Sequence, residues 1–115
     1  MLPKNNRLRV GADFNLVSKT GARFTGDNLV VYALPNKADQ NQVGFIVNRS
    51  VGGSVVRHLV SRKLRHNFAN QLPNLNTKLM MVVRVLKAQS NYTNEVENLI
   101  RKINIKFANT NKADA

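Results

Sequence analysis

The sequence predicts a two-layer α+β sandwich built as one domain. Three patterns carry that prediction. Runs at residues 28–35, 43–50 and 78–87 read as strands, the first β-branched and aromatic and the last nearly all apolar. Between Ser54 and about Gln71 the hydrophobic period changes to helical, and it does so again from about Tyr92 to Phe107. The element order is therefore helix, strands, helix, strand, helix, with no internal repeat and no second domain. Residues 1–108 form the domain, and the polar residues 109–115 read as a flexible tail.

Residues 1–10 are polar and basic, and Pro3 discourages a helix, so they read as an arm. "GADFNLVSKTG" is a short helix: Gly11 can serve as N-cap, Asp13 lies in the positive first turn, and Gly21 can end it as a left-handed residue. Phe14 and Val17 then face the core. "ARFT" is a short strand before the turn at Gly26-Asp27-Asn28, and "NLVVYALP" is a strand closed by Pro35. Residues 36–42 form a polar loop, followed by the strand "VGFIVNRS", Val51 and the Gly52-Gly53 pair. Val56, Val60, Leu64 and Phe68 recur every four residues as the apolar stripe of the next helix, with Ser54 as N-cap and Pro73 closing it. "KLMMVVRVLK", nearly all apolar, is a central strand. The last helix is capped by Thr93 or Asn94, with Glu95 and Glu97 complementing its dipole. Its stripe is Val96, Leu99 or Ile100, Ile103 and Phe107, and Arg101, Lys102 and Lys106 lie towards its negative end.

Charge sets the function class. The chain of 115 residues carries 18 Lys and Arg against 6 Asp and Glu, a formal net charge of +12. Self-repulsion of that size opposes a compact state, so a polyanionic partner is its natural complement. From Gln40 to Asn94 there is no acidic residue, while Arg49, Arg57, Arg62, Lys63, Arg65, Lys78, Arg84 and Lys87 all fall there. A solvated helix face usually interleaves both signs, and this one does not. At about 100° per residue His58, Ser61, Arg62 and Arg65 share one helix face, Arg57 lies at its rim, and Lys63 must snorkel beside the apolar stripe. Arginine outnumbers lysine in this helix, which suits planar, bidentate contacts with phosphate. The absence of cysteine excludes a disulfide framework, a thiol nucleophile and a thiolate metal site. No apolar run approaches the roughly eighteen residues of a membrane span, and no signal-peptide segment follows Met1, so the chain reads as cytosolic.

Catalysis by the protein alone fits the sequence poorly. The 6 carboxylates are scattered, whereas a metal-dependent nuclease needs several converging on one point. Glu95 and Glu97 diverge by about 200° on a helix. His58 and His66 lie about 12 Å apart along a helix axis, too far to act on one phosphate. Gly52 and Gly53 sit in no phosphate-loop pattern and fit a sharp strand-to-helix turn. Phe14 and Tyr32 have two roles open to them, core packing or a platform on which unpaired bases stack.

Two longer stretches bear a family likeness. "VGFIVNRSVGGSVVRHLVSRKLRHNF" resembles the central region of the protein subunit of bacterial ribonuclease P. In that family a strand passes through a Gly turn into a helix patterned G-x-A-V-x-R-N-R-x-K-R-x-x-R. Gly52, Val55, Arg57, Arg62 and Arg65 match it, while His58, Leu59 and Ser61 stand where the motif has Asn, Arg and Lys. "RLRVGADFNLVSKTGARFTGDNLVVYALP" is similar to the family's R-L-x-x-x-x-D-F followed by G and a strand ending in L-Y. Arg7, Leu8, Asp13, Phe14, Gly21 and Tyr32 fill those positions, and Ser18 replaces a second aromatic.

The resemblance implies a fold, partners and a division of labour. The fold is a ribosomal-protein-like sandwich with a four-stranded mixed sheet, about three helices and a left-handed β-α-β crossover. A large RNA subunit, carrying the magnesium ions, removes the 5′ leader of precursor tRNA. The protein has no catalytic residue and no cofactor or metal of its own, and is inactive alone. Arg49, Arg57, His58, Arg62 and Arg65 would meet the RNA subunit. Arg9, Phe14 and Tyr32, above a floor of Val43, Phe45 and Val47, would take the leader in a cleft between sheet and first helix. No membrane and no obligate protein partner is implied. The rival readings are a ribosomal-type RNA-binding protein and a basic amphipathic helix that binds anionic membranes or an acidic protein.

Overall fold

The computed structural model describes residues 6–8, 11–36 and 40–114, with the backbone alone beyond Phe107 in the last helix. Its helices are α1 (Ala12–Thr20), α2 (Ser54–Gln71) and α3 (Thr93–Asp114), and its strands are β1 (Ala22–Thr25), β2 (Leu29–Pro35), β3 (Gln42–Ile46) and β4 (Leu79–Val85). Short 3-10 turns at Arg49–Val51 and Leu72–Asn74 flank α2.

The sheet order is β1-β2-β4-β3, so the nearly all-apolar β4 takes an inner place as its sequence requires. β1 and β2 form an antiparallel hairpin, β2 pairs antiparallel with β4, and β3 pairs parallel with β4. Parallel neighbours cannot be joined by a tight turn, and α2 supplies the crossover between β3 and β4. Outside β3, Arg7 forms a single parallel bridge with Val43, and Leu8 N–H donates to the Val43 carbonyl at 3.0 Å. This covers part of the open edge of β3.

Side-chain alternation divides the sheet into two unequal faces. Leu29, Val31, Ala33, Val43, Leu79, Met81, Val83 and Val85 join one core with the inner sides of α2 (Val60, Leu64, Phe68) and α3 (Val96, Leu99, Ile100, Ile103, Phe107). Both Leu99 and Ile100 are buried, so the stripe of α3 is wider than one residue per turn. On the opposite face α1 buries Phe14 and Val17 against Val82, with Leu8 beside them.

Several local expectations change at this level. Gly21 ends α1 in an extended conformation (φ −67°, ψ 155°) and not a left-handed one. The chain goes directly into β1, and Gly21 lies so close to Ala33 and to the Val17 carbonyl that a Cβ would collide with both. Ser54 is the first residue of α2 and Gly53 is its cap, without a side-chain hydrogen bond. Val56 is 40% exposed, so the buried stripe of α2 begins at Val60. "VGFIVNRS" leaves the sheet after Ile46. The backbone of α3 continues to Asp114, through most of the segment read as a tail.

Glu95 has a larger part than complementing a dipole. Its carboxylate accepts from the backbone N–H of Asn28 (2.7 Å) and Leu29 (2.8 Å), from Asn28 Nδ2 (3.2 Å) and from Gln89 Nε2 (2.8 Å). One side chain thereby ties the β1–β2 turn and the loop after β4 to the start of α3. Beside it Tyr92 is fully buried, its hydroxyl donating to the Lys87 carbonyl (2.9 Å) and accepting from Gln89 N–H (3.1 Å).

Candidate nucleic-acid interface

The turn into α2 places the first basic surface. Gly52 has φ 156°, a conformation closed to side chains, and a Cβ there would lie 2.8 Å from Val56 Cγ1. The sharp turn leaves Arg49 exposed immediately before the helix, and His58 and Arg62 are exposed along it, with Arg65 half-buried at the margin. Arg57 lies deeper than the rim predicted for it: its Nε is buried without a hydrogen-bond partner. Lys63 snorkels as its place beside the stripe requires, its Nζ donating to the Ser90 carbonyl at 2.8 Å. Val55 (80% exposed) and Leu59 (49% exposed) stand among these cations. His66 is exposed and pairs with Asn70, its Nε2 lying 3.4 Å from the amide nitrogen.

A second surface lies on the α1 side of the sheet. The register sets Arg23 opposite Tyr32, Tyr32 opposite Val82, and Val82 beside Gly44. The next row runs Thr25, Val30, Arg84, Ile46. Paired residues point to the same face, so Arg23, Tyr32, Arg84 and Ile46 share the side that α1 only partly covers. Tyr32 is half-buried there, and Arg23 and Arg84 are exposed. Ile46 ends β3 and Arg49 follows it closely, so the basic turn before α2 begins where this open face ends.

The predicted leader residues divide on this geometry. Val43, Phe45 and Val47 belong to the α2/α3 core and make no floor beneath Tyr32. Phe45 packs edge-on against Phe68 of α2, with ring centroids 5.7 Å apart. Side chains alternate along β3, and Val43 and Phe45 take the parity that faces α2 and α3. The residues of β3 that do lie under α1 are Gly44 and Ile46. Phe14 is only 7% exposed, its ring seated where a Gly44 Cβ would stand 2.7 Å from Phe14 Cε2. It packs the core and presents no free stacking surface. Arg9 lies outside the described residues. The grouping of Arg23 and Arg84 with Tyr32 is not visible in the sequence, because it depends on strand register.

Among the described residues no three His, Asp or Glu side chains come together in a group that could hold a metal ion. Glu95 is committed to its four hydrogen bonds, while Glu97 is exposed on α3. His58 and His66 are both exposed on α2, about two turns apart. No described helix is long and apolar enough to cross a membrane.

An α-β sandwich with one basic helix and one open basic-aromatic sheet face defines the class: a small, strongly basic α+β domain. The Ribonuclease P family model matches residues 2–107, and the chain belongs to that family, as a protein component of the tRNA-processing enzyme ribonuclease P. Its relatives include the Ribonuclease P protein component of Acidothermus cellulolyticus, 42% identical over 90 residues that cover 76% of this chain and 75% of that protein. The fold is also that of the solved RNase P protein from Thermotoga maritima, with TM-score 0.63, 25% identity, and coverage of 90% of this chain and 93% of that one. The Staphylococcus aureus RNase P protein superposes with TM-score 0.67 over 90% of this chain and 94% of that one, at 23% identity.

Proposed function

We propose that this protein binds the catalytic RNA of ribonuclease P through α2, and the 5′ leader of precursor tRNA through the open sheet face. The observation that carries the reading is the charge of α2. Arg49, His58, Arg62 and Arg65 line its accessible side, and no carboxylate falls between Gln40 and Asn94 to neutralise them. Such a surface needs its counter-charge from a partner, and phosphates supply it. Tyr32 between Arg23 and Arg84 suits a single strand, with an aromatic ring for a base and cations for the backbone on either side.

In this division of labour the RNA subunit and its magnesium ions carry the cleavage, in the cytoplasm, and the protein contributes no reacting group. Its part is electrostatic and positional: a protein of net charge +12 seated beside two polyanions does some of the screening otherwise left to metal ions. The test is leader release against magnesium concentration with protein alone, RNA alone and both. Protein alone is expected to cut nothing, and the complex to work at much lower magnesium than the RNA. Cleavage by rigorously RNA-free protein would revive a protein nuclease. An unchanged magnesium dependence with the cognate RNA would leave a ribosomal-type RNA-binding domain without a role in cleavage.

A further inference from the structure

Resting on the reading of α2 as the face that meets the partner RNA, we propose that the groove beside Leu59 receives an unpaired base of that RNA. The outward side of α2 is not uniformly charged. At about 100° per residue Val55, Leu59, Arg62 and His66 project on the side opposite the buried Val60, Leu64 and Phe68. Leu59 is 49% exposed, and with Arg62, Lys63 and His66 it lines a groove of about 500 Å³. A half-exposed leucine among the cations that line a groove favours a ligand with an apolar planar face and anionic flanks. A nucleotide turned out of its stack has both.

The rim is partly fixed in place. The bond from Lys63 Nζ to the Ser90 carbonyl lays the lysine stem along one wall, and the contact of His66 with Asn70 restrains the imidazole. Arg62 is exposed, and its planar guanidinium can lie against a base or pair with a phosphate. A paired A-form helix offers this groove little, because its base faces are stacked away and only sugars and phosphates are presented. A loop, bulge or junction nucleotide offers its face to Leu59 and its two phosphates to the cations. Leu59 stands where the motif quoted above has an arginine, so here an apolar contact replaces a charged one. Membership of the ribonuclease P family favours RNA over an acidic protein as the occupant.

The experiment uses the full-length protein and cognate ribonuclease P RNA transcribed in vitro. A photoreactive phenylalanine analogue replaces Leu59 in one sample and Arg62 in another, and the cross-linked nucleotides are identified. In parallel, RNA affinity is measured against salt for Leu59→Ala and Arg62→Ala. The analogue at position 59 should capture a nucleotide that is unpaired in the free RNA. Leu59→Ala should weaken binding about five- to tenfold at every salt concentration without changing the slope, as expected for burying the exposed half of a leucine. Arg62→Ala should flatten the slope. Capture of paired nucleotides only, or an unaffected Leu59→Ala beside a flattened Arg62→Ala, would overturn the base-binding groove while leaving α2 as the RNA face. Normal binding and slope in both variants would overturn the interface itself. Flotation of the protein with phosphatidylserine vesicles that is lost in Leu59→Ala, with RNA binding intact, would assign the groove to a lipid surface instead.

Discussion

Removing the Glu95 carboxylate should unfasten the β1–β2 hairpin from α3, at a cost that the geometry fixes. The two shortest contacts are to the main-chain N–H groups of Asn28 and Leu29, at 2.7 and 2.8 Å, and the third strong one is to Gln89 Nε2 at 2.8 Å. Hydrogen bonds to a charged group contribute about 1.5–3 kcal/mol each, and the site is partly solvated, so the lower figure applies. Water can reach the donors that Glu95→Ala leaves behind, so the three bonds are not lost in full. A loss of about 3 kcal/mol is expected. In a domain stabilised by about 5–15 kcal/mol this is a large fraction. Glu95→Gln keeps one acceptor oxygen and the shape of the side chain, and should lose about half as much. Glu97→Ala, on the same helix and exposed, should stay within about 0.5 kcal/mol of the parent. Urea unfolding followed by circular dichroism would measure all three. If Glu95→Ala were no more destabilised than Glu97→Ala, the clamp would not hold the hairpin, and Arg23 and Tyr32 would need another explanation for their fixed place.

Binding to the partner RNA should weaken log-linearly with salt, and Arg62→Ala or Arg65→Ala should each reduce the slope by about one phosphate contact, about 0.7–0.9. An unchanged slope in both would take α2 out of the interface. Tyr32→Ala should weaken binding of leader-bearing precursor tRNA by about 1–3 kcal/mol and leave mature tRNA unaffected, in a competition assay with both forms. Phe14→Ala should instead show its effect in thermal unfolding, with a loss of about 3–5 kcal/mol. Burial raises the Tyr92 hydroxyl above its ordinary pKa of 10.0, with the Glu95 carboxylate pushing the same way and the Gln89 N–H opposing. The neutral phenol is the form the fold prefers, so this stabilisation is fully present below about pH 10 and is lost as pH rises through the folded-state value. The stability gap between the parent and Tyr92→Phe should therefore narrow in alkaline unfolding measurements. A gap constant across that range would contradict the buried hydroxyl.

Strands β2 and β4 are legible in the sequence because each is a nearly all-apolar run, too long and apolar for an exposed element. The stripe of α3 is legible because Val96, Ile103 and Phe107 keep a helical period. The charge of α2 is visible before any fold is known, since charge is a property of the list of residues. What could not be read depends on register or on distant partners. In "QVGFI" both parities look acceptable, and only the seating of Phe14 on Gly44 decides that Val43 and Phe45 face α2 and α3. Arg23, Tyr32 and Arg84 come together through two strand pairings, neither of which any single segment records. Glu95 meets Asn28 across 67 positions, and its place in the first turn of a helix already offered a sufficient local explanation. The end of α1 is ambiguous in the sequence because glycine serves both left-handed caps and close approaches, and Gly21 makes a close approach.

The strand order has a consequence for how the chain comes to be folded. β4 is last of the four in sequence, yet it is the strand that joins β3 to the hairpin of β1 and β2. While the protein is being synthesised, β3 therefore has no strand partner until residues 79–85 have emerged, and the hairpin's inner edge stays open as long. Glu95 and Tyr92, which fix the hairpin turn and the loop after β4, arrive later still. Every strand pairing outside the β1–β2 hairpin waits on contacts distant in sequence, which slows folding and leaves strand edges exposed in the meantime. A nascent chain arrested before residue 79 should thus remain protease-sensitive throughout, while one that has released α3 should become resistant in a single step.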